Sequence, residues 1–467
     1  MAPFFPKQIA ARAIIIYLLS LAIVSIVFVN YCMKSVYIAL GCVWVIGFFI
    51  LVHIFTFNLR RVSQAQYIGS LFAFAFIIRL IWVLISYFFY IDVTGIPFEY
   101  EAADSYVYHL DAEWMAGESW SSIKEYLFGN TIALSDSGYP LYLSIVYRIF
   151  GPSIIIARII KAVLSSVTCY LIYMLAARTF GEGTGRMAGL MMAFMPNLII
   201  YCGYHLKETE MLFLEVAFLE RLDYVIRSKK ISVWNIVLPS LIVVSLFLFR
   251  TVLGAAAIFS FATAIVLSSA PNLKRNGRRV ALICWGVLAV VIIGSGTIST
   301  EVEGLWEDRD SNIVNKREQQ TLRGNQWAKY ATGSVMAPMA FVLPFATMID
   351  VDEQYIQQEK SGGNYVRNFM GFFALIALYE CIRRKKIREF AMIGSFLIAY
   401  LGVVSMSGFS NSERFLLPGL PCLIMMWAYG ISTLREKTYR LLTPWCVIVV
   451  LMELGWAYFK LGSRGLF

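Results

Sequence analysis

The chain has 467 residues, 59% hydrophobic and 15% charged, with a mean hydropathy of +0.68 and a formal net charge of +10. A soluble domain carries roughly 45–50% apolar and about 25% charged residues, so a water-soluble globule is excluded. Nucleic-acid binding, which the charge alone would invite, is set aside. The basic residues stand in short clusters between apolar runs: Arg60-Arg61, Arg227 to Lys230, Lys274 to Arg279, Arg383 to Lys386 and Arg435 to Arg440. Cytoplasmic loops of membrane proteins carry such clusters.

Apolar runs of about 20 residues, long enough to cross a hydrocarbon core of about 30 Å as a helix, are predicted in chain order at 12–30, 36–58, 67–91, 153–178, 184–204, 208–226, 232–250, 252–270, 279–298, 365–383, 387–406, 412–431 and 441–459. The fold class this implies is all-α and integral to the membrane, with about thirteen transmembrane helices. The run at 12–30 follows a basic start, but no small-residue cleavage site comes after it, so it reads as a retained span. Placing the basic clusters in the cytoplasm puts the N-terminus there and the segments 92–152 and 299–364 outside. The last helix then ends outside, where Lys460 and Arg464 run against the rule. The chain divides into three helices (1–91), a first external loop (92–152), central helices (153–298), a second external loop (299–364) and C-terminal helices (365–467). Within the second loop, the apolar piece 333–349 holds Pro338 and Pro344. It is predicted to be re-entrant or interfacial, which membrane depth tolerates only for backbone buried in protein or lining a cavity.

The eight cysteines lie in or beside apolar runs with no CxxC pair, and read as small buried residues rather than a disulfide or zinc framework. The three histidines are too dispersed for a metal motif.

Candidate chemistry begins at 99–120, "EYEAADSYVYHLDAEWMAGESW". Asp104 stands just beyond the third span, and Tyr108, four residues later, shares a helical face with it. Tyr106, Tyr108, Trp114 and Trp120 also suit an aromatic belt at the lipid boundary. Further charges stand at predicted outer helix ends: Arg158 and Lys161, then His205, Lys207, Glu208 and Glu210, then Glu413 and Arg414. Plainer roles exist for these. Arg158 and Lys161 can snorkel to headgroups. Glu208 and Glu210 can favour a helix N-terminus. Arg79 is mid-span, where charge is costly and often functional, and has no role assigned from sequence.

The arrangement resembles the polytopic glycosyltransferases of the C superfamily (GT-C), which include protein O-mannosyltransferases and lipid A aminoarabinose transferases. Their first external loop carries an acidic motif, often Asp-Glu-x-x-Tyr. Asp104-Ser105-Tyr106-Val107-Tyr108 keeps the Asp and the Tyr, with Ser in place of Glu. "GYPLYLSIVYRIFG" and the following Arg158 look like the family's Pro-containing loop and Arg, and "ERFLLPGLP" looks like its late Glu-Arg segment. The likeness is best over 99–226 and 407–431, and the first two spans are additional to the family's usual core.

The resemblance implies a GT-C-like fold in the cell (inner or plasma) membrane, with short amphipathic helices in the external loops. It implies a polyprenyl-phosphate-linked sugar as donor, a lipid, glycan or protein acceptor, and transfer with inversion on the external face. Asp104 would take the acceptor proton as general base. Arg158, Lys161, His205, Lys207 and Arg414 are candidates to hold the leaving phosphate. Tyr106 and Tyr108 would meet the sugar, and Glu208 and Glu210 complete the expected substrate-binding set. No metal ligand is assigned. The missing acidic partner at 105 leaves a divalent ion open, and no other cofactor is implied.

Two other functions fit the outline. A polysaccharide polymerase or O-antigen ligase would use basic residues of the second loop: Arg309, Lys316, Arg317, Arg323 and Lys329. A flippase for lipid-linked sugars would show repeated halves with matching broken helices, and no internal repeat is evident.

Overall fold

The computed structural model describes residues 3–100, 102–128, 134–228, 232–267, 339, 341–351, 354–406 and 412–466, together with 282 and 285–287. The described residues are helical throughout, apart from connections and one isolated bridge between Cys32 and Ile349. In chain order the helices are α1 (Lys7–Val27), α2 (Ser35–Asn58), α3 (Gln64–Thr94), α4 (Ala103–Gly117), α5 (Trp120–Phe128), α6 (Leu134–Phe150), α7 (Ile154–Phe180), α8 (Glu182–Phe194), α9 (Pro196–Ile200), α10 (Glu208–Arg227), α11 (Trp234–Phe249), α12 (Thr251–Leu267), α13 (Tyr355–Glu359), α14 (Ser361–Arg383), α15 (Ile387–Met406), α16 (Glu413–Leu416), α17 (Leu420–Ser432), α18 (Glu436–Tyr439) and α19 (Leu442–Gly462).

Local chemistry sets the long helices. Ser63 opens α3 with a capping box: its hydroxyl accepts from the Gln66 amide at 3.3 Å, and Gln66 Oε1 accepts from the Ser63 amide at 3.2 Å. Gly95 closes α3 at φ 79°, a left-handed conformation open to glycine. Ser153 caps α7, and Gly181, at φ 98°, turns the chain directly into α8.

The chain is an all-helical, multi-pass membrane protein. Among the described residues, eight helical stretches are long and apolar enough to cross a membrane, and α11 and α12 are shorter apolar helices. Burial decides where each stands. In the stretch Glu413–Ser432, 89% of the apolar window is buried, against 28% in Gln64–Thr94, so the former is central and the latter peripheral. The outer surface of α3 exposes Ile77, Ile81, Ile85 and Phe88 in succession. A soluble monomer does not carry such a continuous apolar face; here lipid covers it.

Two predicted spans differ from the expected form. The run 184–204 is not one helix but α8, α9 and a 3₁₀ turn at Tyr201–Gly203. Pro196 has no N–H, so the Met192 carbonyl loses its helical donor and the helix breaks. Arg79 repairs the break. Its guanidinium donates to Met192 O at 3.1 Å and Ala193 O at 2.9 Å, and to Ser165 Oγ at 2.7 Å on α7. A mid-span cation is thus held by carbonyls that a proline has freed, with Arg79 fully buried. Arg79→Leu should lower unfolding stability by about 2–4 kcal/mol by leaving those carbonyls unpaired, read as a lower thermal midpoint in detergent. The second difference is α10, which carries Glu208, Glu210, Glu215, Glu220 and Asp223 and falls outside the eight apolar stretches. Arg178 of α7 meets two of these, Glu220 at 2.7 Å and Asp223 at 2.8 Å. The predicted span 279–298 lies outside the described residues except at 282 and 285–287.

Of the segment 333–349, positions 339 and 341–349 are described. Val342 to Ile349 run without regular helix and are nearly inaccessible. Asn368 of α14 satisfies this buried backbone, donating to Val342 O at 2.7 Å and Pro344 O at 2.9 Å.

The long helices alternate in direction, so their connections sort into two ends. At one end Arg435 meets Glu380 at 3.6 Å, and Arg186 donates to Leu59 O at 2.9 Å. Arg60-Arg61, Arg227, Arg383 to Lys386 and Arg435 to Arg440 all fall there. At the other end Tyr90 meets Glu359, and Asp104 meets Arg414.

Candidate functional site

The end away from the basic clusters holds a cavity of about 340 Å³, within the range of ligand pockets. Asp104, Arg414, Glu99, Lys360, Tyr201 and Tyr204 are among the side chains lining it.

Asp104 sits in the first turn of α4, where the helix dipole favours negative charge. Its carboxylate accepts from Nη1 of Arg414, whose Nε donates to Glu208. One guanidinium thus bridges two carboxylates of opposite character. Glu208 is fully buried, whereas the Asp104 side chain is 53% exposed. Glu208 has a second cation, Arg250, at 3.6 Å. Glu208 anchors the guanidinium, and Asp104 faces the cavity on its open side.

A second network forms the floor. Lys360 meets Glu413 at 2.6 Å, and Glu413 also accepts from Tyr201 at 2.8 Å and Asn197 at 2.6 Å. Next to Lys360, Glu359 accepts hydroxyl hydrogen bonds from Tyr90 at 2.8 Å and Tyr204 at 3.1 Å. Burial pushes Glu359 up to about 7, against the pull of those hydrogen bonds and of Lys360. The folded state therefore keeps a proton that the unfolded chain releases. Its contribution to stability is fully present below about pH 4.5 and is lost as pH rises toward 7. Glu359→Gln, which cannot ionise yet can accept from both tyrosines, should match wild type near pH 5. At pH 8 it should be more stable, on the order of 2–3 kcal/mol, in thermal unfolding at the two pH values.

The cavity brings together only part of the predicted set. Asp104 and Arg414 line it, and Glu208 stands behind them. Lys207 pairs with Asp136 and donates to Ser135 O at 2.9 Å, and Tyr108 donates to the same Asp136 at 3.1 Å. Burial pushes Lys207 below the usual lysine range, with Asp136 opposing. Burial would raise Asp136, but the Lys207 ammonium holds it below the ordinary carboxylate range. Tyr108 is buried edge-on to Tyr139, and Tyr106 is half exposed beside Phe98, so neither ring faces the cavity. Arg158 is buried, donates to Pro97 O at 2.6 Å and stands 3.8 Å from Glu99. Lys161 donates to Tyr204 O at 2.8 Å and stands 3.6 Å from Glu210. His205 shares Tyr147 with His109. Arg158 and Lys161 brace the chain at 97–99 and 204–206, and neither they nor His205 lines the cavity.

Sequence reasoning missed Glu99, Tyr100, Tyr201, Tyr204, Lys360 and Trp456 as cavity residues. For Glu99 a signal existed. Ser105 stands where the acidic motif carries its second acid, and its hydroxyl donates to Glu99.

A divalent ion finds no open ligand set. Among the described residues no group of three His, Cys, Asp or Glu side chains is arranged to hold a metal. Asp104 and Glu413 each already meet a cation, and Glu99 takes a hydrogen bond from Ser105 and another from the His205 amide at 3.3 Å. Oxygen ligands for a hard cation would have to leave these partners, so the described residues do not fit one.

Fold and cavity together define a polytopic helical membrane protein with a charged, aromatic-lined site at one end of its bundle. No protein-family model and no curated protein matches its sequence. Among solved structures, the archaeal oligosaccharyltransferase AglB from Archaeoglobus fulgidus, in complex with an inhibitory peptide and a dolichol-phosphate, is similar to it at a TM-score of 0.46 and 14% identity. The match covers 86% of this chain, which spans 56% of that structure's length.

Proposed function

We propose that the protein is a membrane glycosyltransferase that moves a sugar from a polyprenyl-phosphate donor to an acceptor outside the cytoplasm, inverting the anomeric carbon. The observation that carries this reading is the Asp104–Arg414–Glu208 bridge at the cavity wall. Transfer needs a base for a poorly acidic hydroxyl and a cation for the departing phosphate. The bridge supplies both in one place. The acceptor oxygen forms its bond to the anomeric carbon while the bond to the phosphate oxygen breaks. The hydroxyl proton passes to Asp104, and the bonding electrons leave with the phosphate. Arg414, anchored by Glu208, turns from Asp104 to the phosphate as the donor enters, which frees the carboxylate as a base. Tyr100, Tyr201 and Tyr204 offer ring surface to the sugar.

The basic residues of these clusters that are described lie at the opposite end of the bundle, and the positive-inside rule, which would turn that end to the cytoplasm, supports an external cavity. Nucleotide sugars are cytoplasmic, so a sugar carried on a lipid suits that side.

The experiment that tests this reading uses proteoliposomes loaded with polyprenyl-phosphate-linked radiolabelled sugars and a glycan and lipid acceptor extract. A transferase leaves label covalently in a new product. Intact labelled lipid moved between leaflets, with no new product, would favour the flippase reading. For the polymerase or ligase reading, Arg309, Lys316, Arg317, Arg323 and Lys329 lie outside the described residues.

A further inference from the structure

Lys460 ran against the positive-inside rule, and its surroundings give a reason. It is buried on the last helix, two turns after Glu453, and turns inward rather than to the headgroups. Its ammonium donates to Thr347 Oγ1 at 2.8 Å, to Gln354 Oε1 at 2.6 Å and to Gln357 Oε1. All three acceptors are neutral, and all three line the cavity. Among the described residues no carboxylate pairs with Lys460, and the charges acting on it are those of Arg464 and Lys360, both positive. A buried cation surrounded by neutral oxygens is costly unless an anion joins it.

The orientation of the three acceptors matters as much as the charge. Gln354 and Gln357 turn their carbonyl oxygens to Lys460, and their amide NH₂ groups donate to no partner among the described residues. Thr347, accepting from Lys460, keeps its hydroxyl proton to donate. The wall in front of Lys460 is therefore a set of hydrogen-bond donors backed by a positive charge, in the cavity that Asp104 and Glu99 also line. Trp456 lines the same wall, with Lys460 5.4 Å from its ring.

We infer that Lys460, with Thr347, Gln354 and Gln357, forms a second oxyanion subsite, separate from the phosphate position beside Arg414. It takes a phosphate or carboxylate group carried by the substrate. The inference deepens the reading of this cavity as a substrate site and rests on it. The oxyanion has two sources: a second phosphate on the lipid carrier, or an acidic group on the sugar or acceptor.

Binding separates these without any transfer assay. Purified wild type, Lys460→Gln, Lys460→Arg and Arg414→Gln would be titrated with inorganic pyrophosphate and with glucuronate, followed by thermal stabilisation in detergent. Wild type should bind at least one probe, and Lys460→Gln should weaken that binding about tenfold or more. Lys460→Arg, which keeps the charge, should stay within about threefold. Pyrophosphate binding that needs both Lys460 and Arg414 assigns the second phosphate. Glucuronate binding that needs Lys460 alone assigns an acidic sugar or acceptor. Binding of neither probe by wild type, equal binding by Lys460→Gln, or loss in both Lys460 variants would overturn the subsite. Loss of transfer is not among these readouts, so failure here leaves the transferase reading standing or falling on its own test.

Discussion

Asp104→Asn should lower the rate of sugar transfer by about 10²–10⁴-fold, the range that general-base catalysis contributes, while the folded protein keeps its thermal midpoint. Asn has nearly the shape of Asp and can still accept from Arg414, but it cannot take a proton. The side chain is 53% exposed, so its charge adds little to stability. Glu208 continues to hold the guanidinium. Asp104→Glu keeps the base with a longer reach and should recover part of the rate. Single-turnover transfer with bound donor is the proper readout, because it reports the chemical step and not lipid delivery. A full rate in Asp104→Asn would make this carboxylate an ordinary partner of Arg414.

Arg414→Gln should fail in two separable ways. Transfer should fall about 10²–10³-fold, because the phosphate loses the charge placed to receive it. Stability should also fall, by about 3–5 kcal/mol, the range for breaking a buried ion pair. Glu208 is fully buried, and after the change Arg250, at 3.6 Å, is its remaining ion-pair partner among the described residues. The double variant Arg414→Gln with Glu208→Gln removes the stranded charge. It should regain much of the stability and none of the activity. Arg414→Lys should fall between, since a point charge does not span two carboxylates as a planar guanidinium does. Thermal unfolding and transfer rates on the same preparations check both halves. A double variant as active as wild type would place the phosphate elsewhere.

The membrane helices were legible in the sequence because length and hydropathy decide them one segment at a time. Short helices in the loop after α3 were also expected and are present as α4, α5 and α6. What hydropathy does not encode is where a continuous apolar run breaks. "MAGLMMAFMPNLIIYCGY" is apolar across Pro196, yet the proline removes one donor and the run becomes two helices. Arg79 had no role from sequence because its partners, the freed carbonyls, lie more than a hundred residues away.

Two of the charges picked out at helix ends line the candidate cavity. Asp104 and Arg414 were found that way. Arg158, Lys161 and Lys207 carried the same signal, but the structure braces each against a carbonyl or carboxylate, and none of the three itself lines the cavity. Sequence alone cannot tell a cation braced against backbone from one held toward a ligand. The tyrosines of the floor were missed for a different reason. Aromatics at a membrane boundary usually read as a belt, and only a contact such as Tyr90 to Glu359, 269 residues apart, turns one inward. Lys460 lay between the two cases. Its breach of the charge rule was visible, but the neutral acceptors around it, Thr347, Gln354 and Gln357, come from more than a hundred residues away.

The most direct test of the transferase assignment is a side-by-side assay of wild type and Asp104→Asn in nanodiscs, with a mixed pool of radiolabelled polyprenyl-phosphate sugars and a membrane-lipid and glycan extract. The account predicts label in a new covalent product with wild type and none above background with a folded Asp104→Asn. Equal transfer by the two proteins would contradict it.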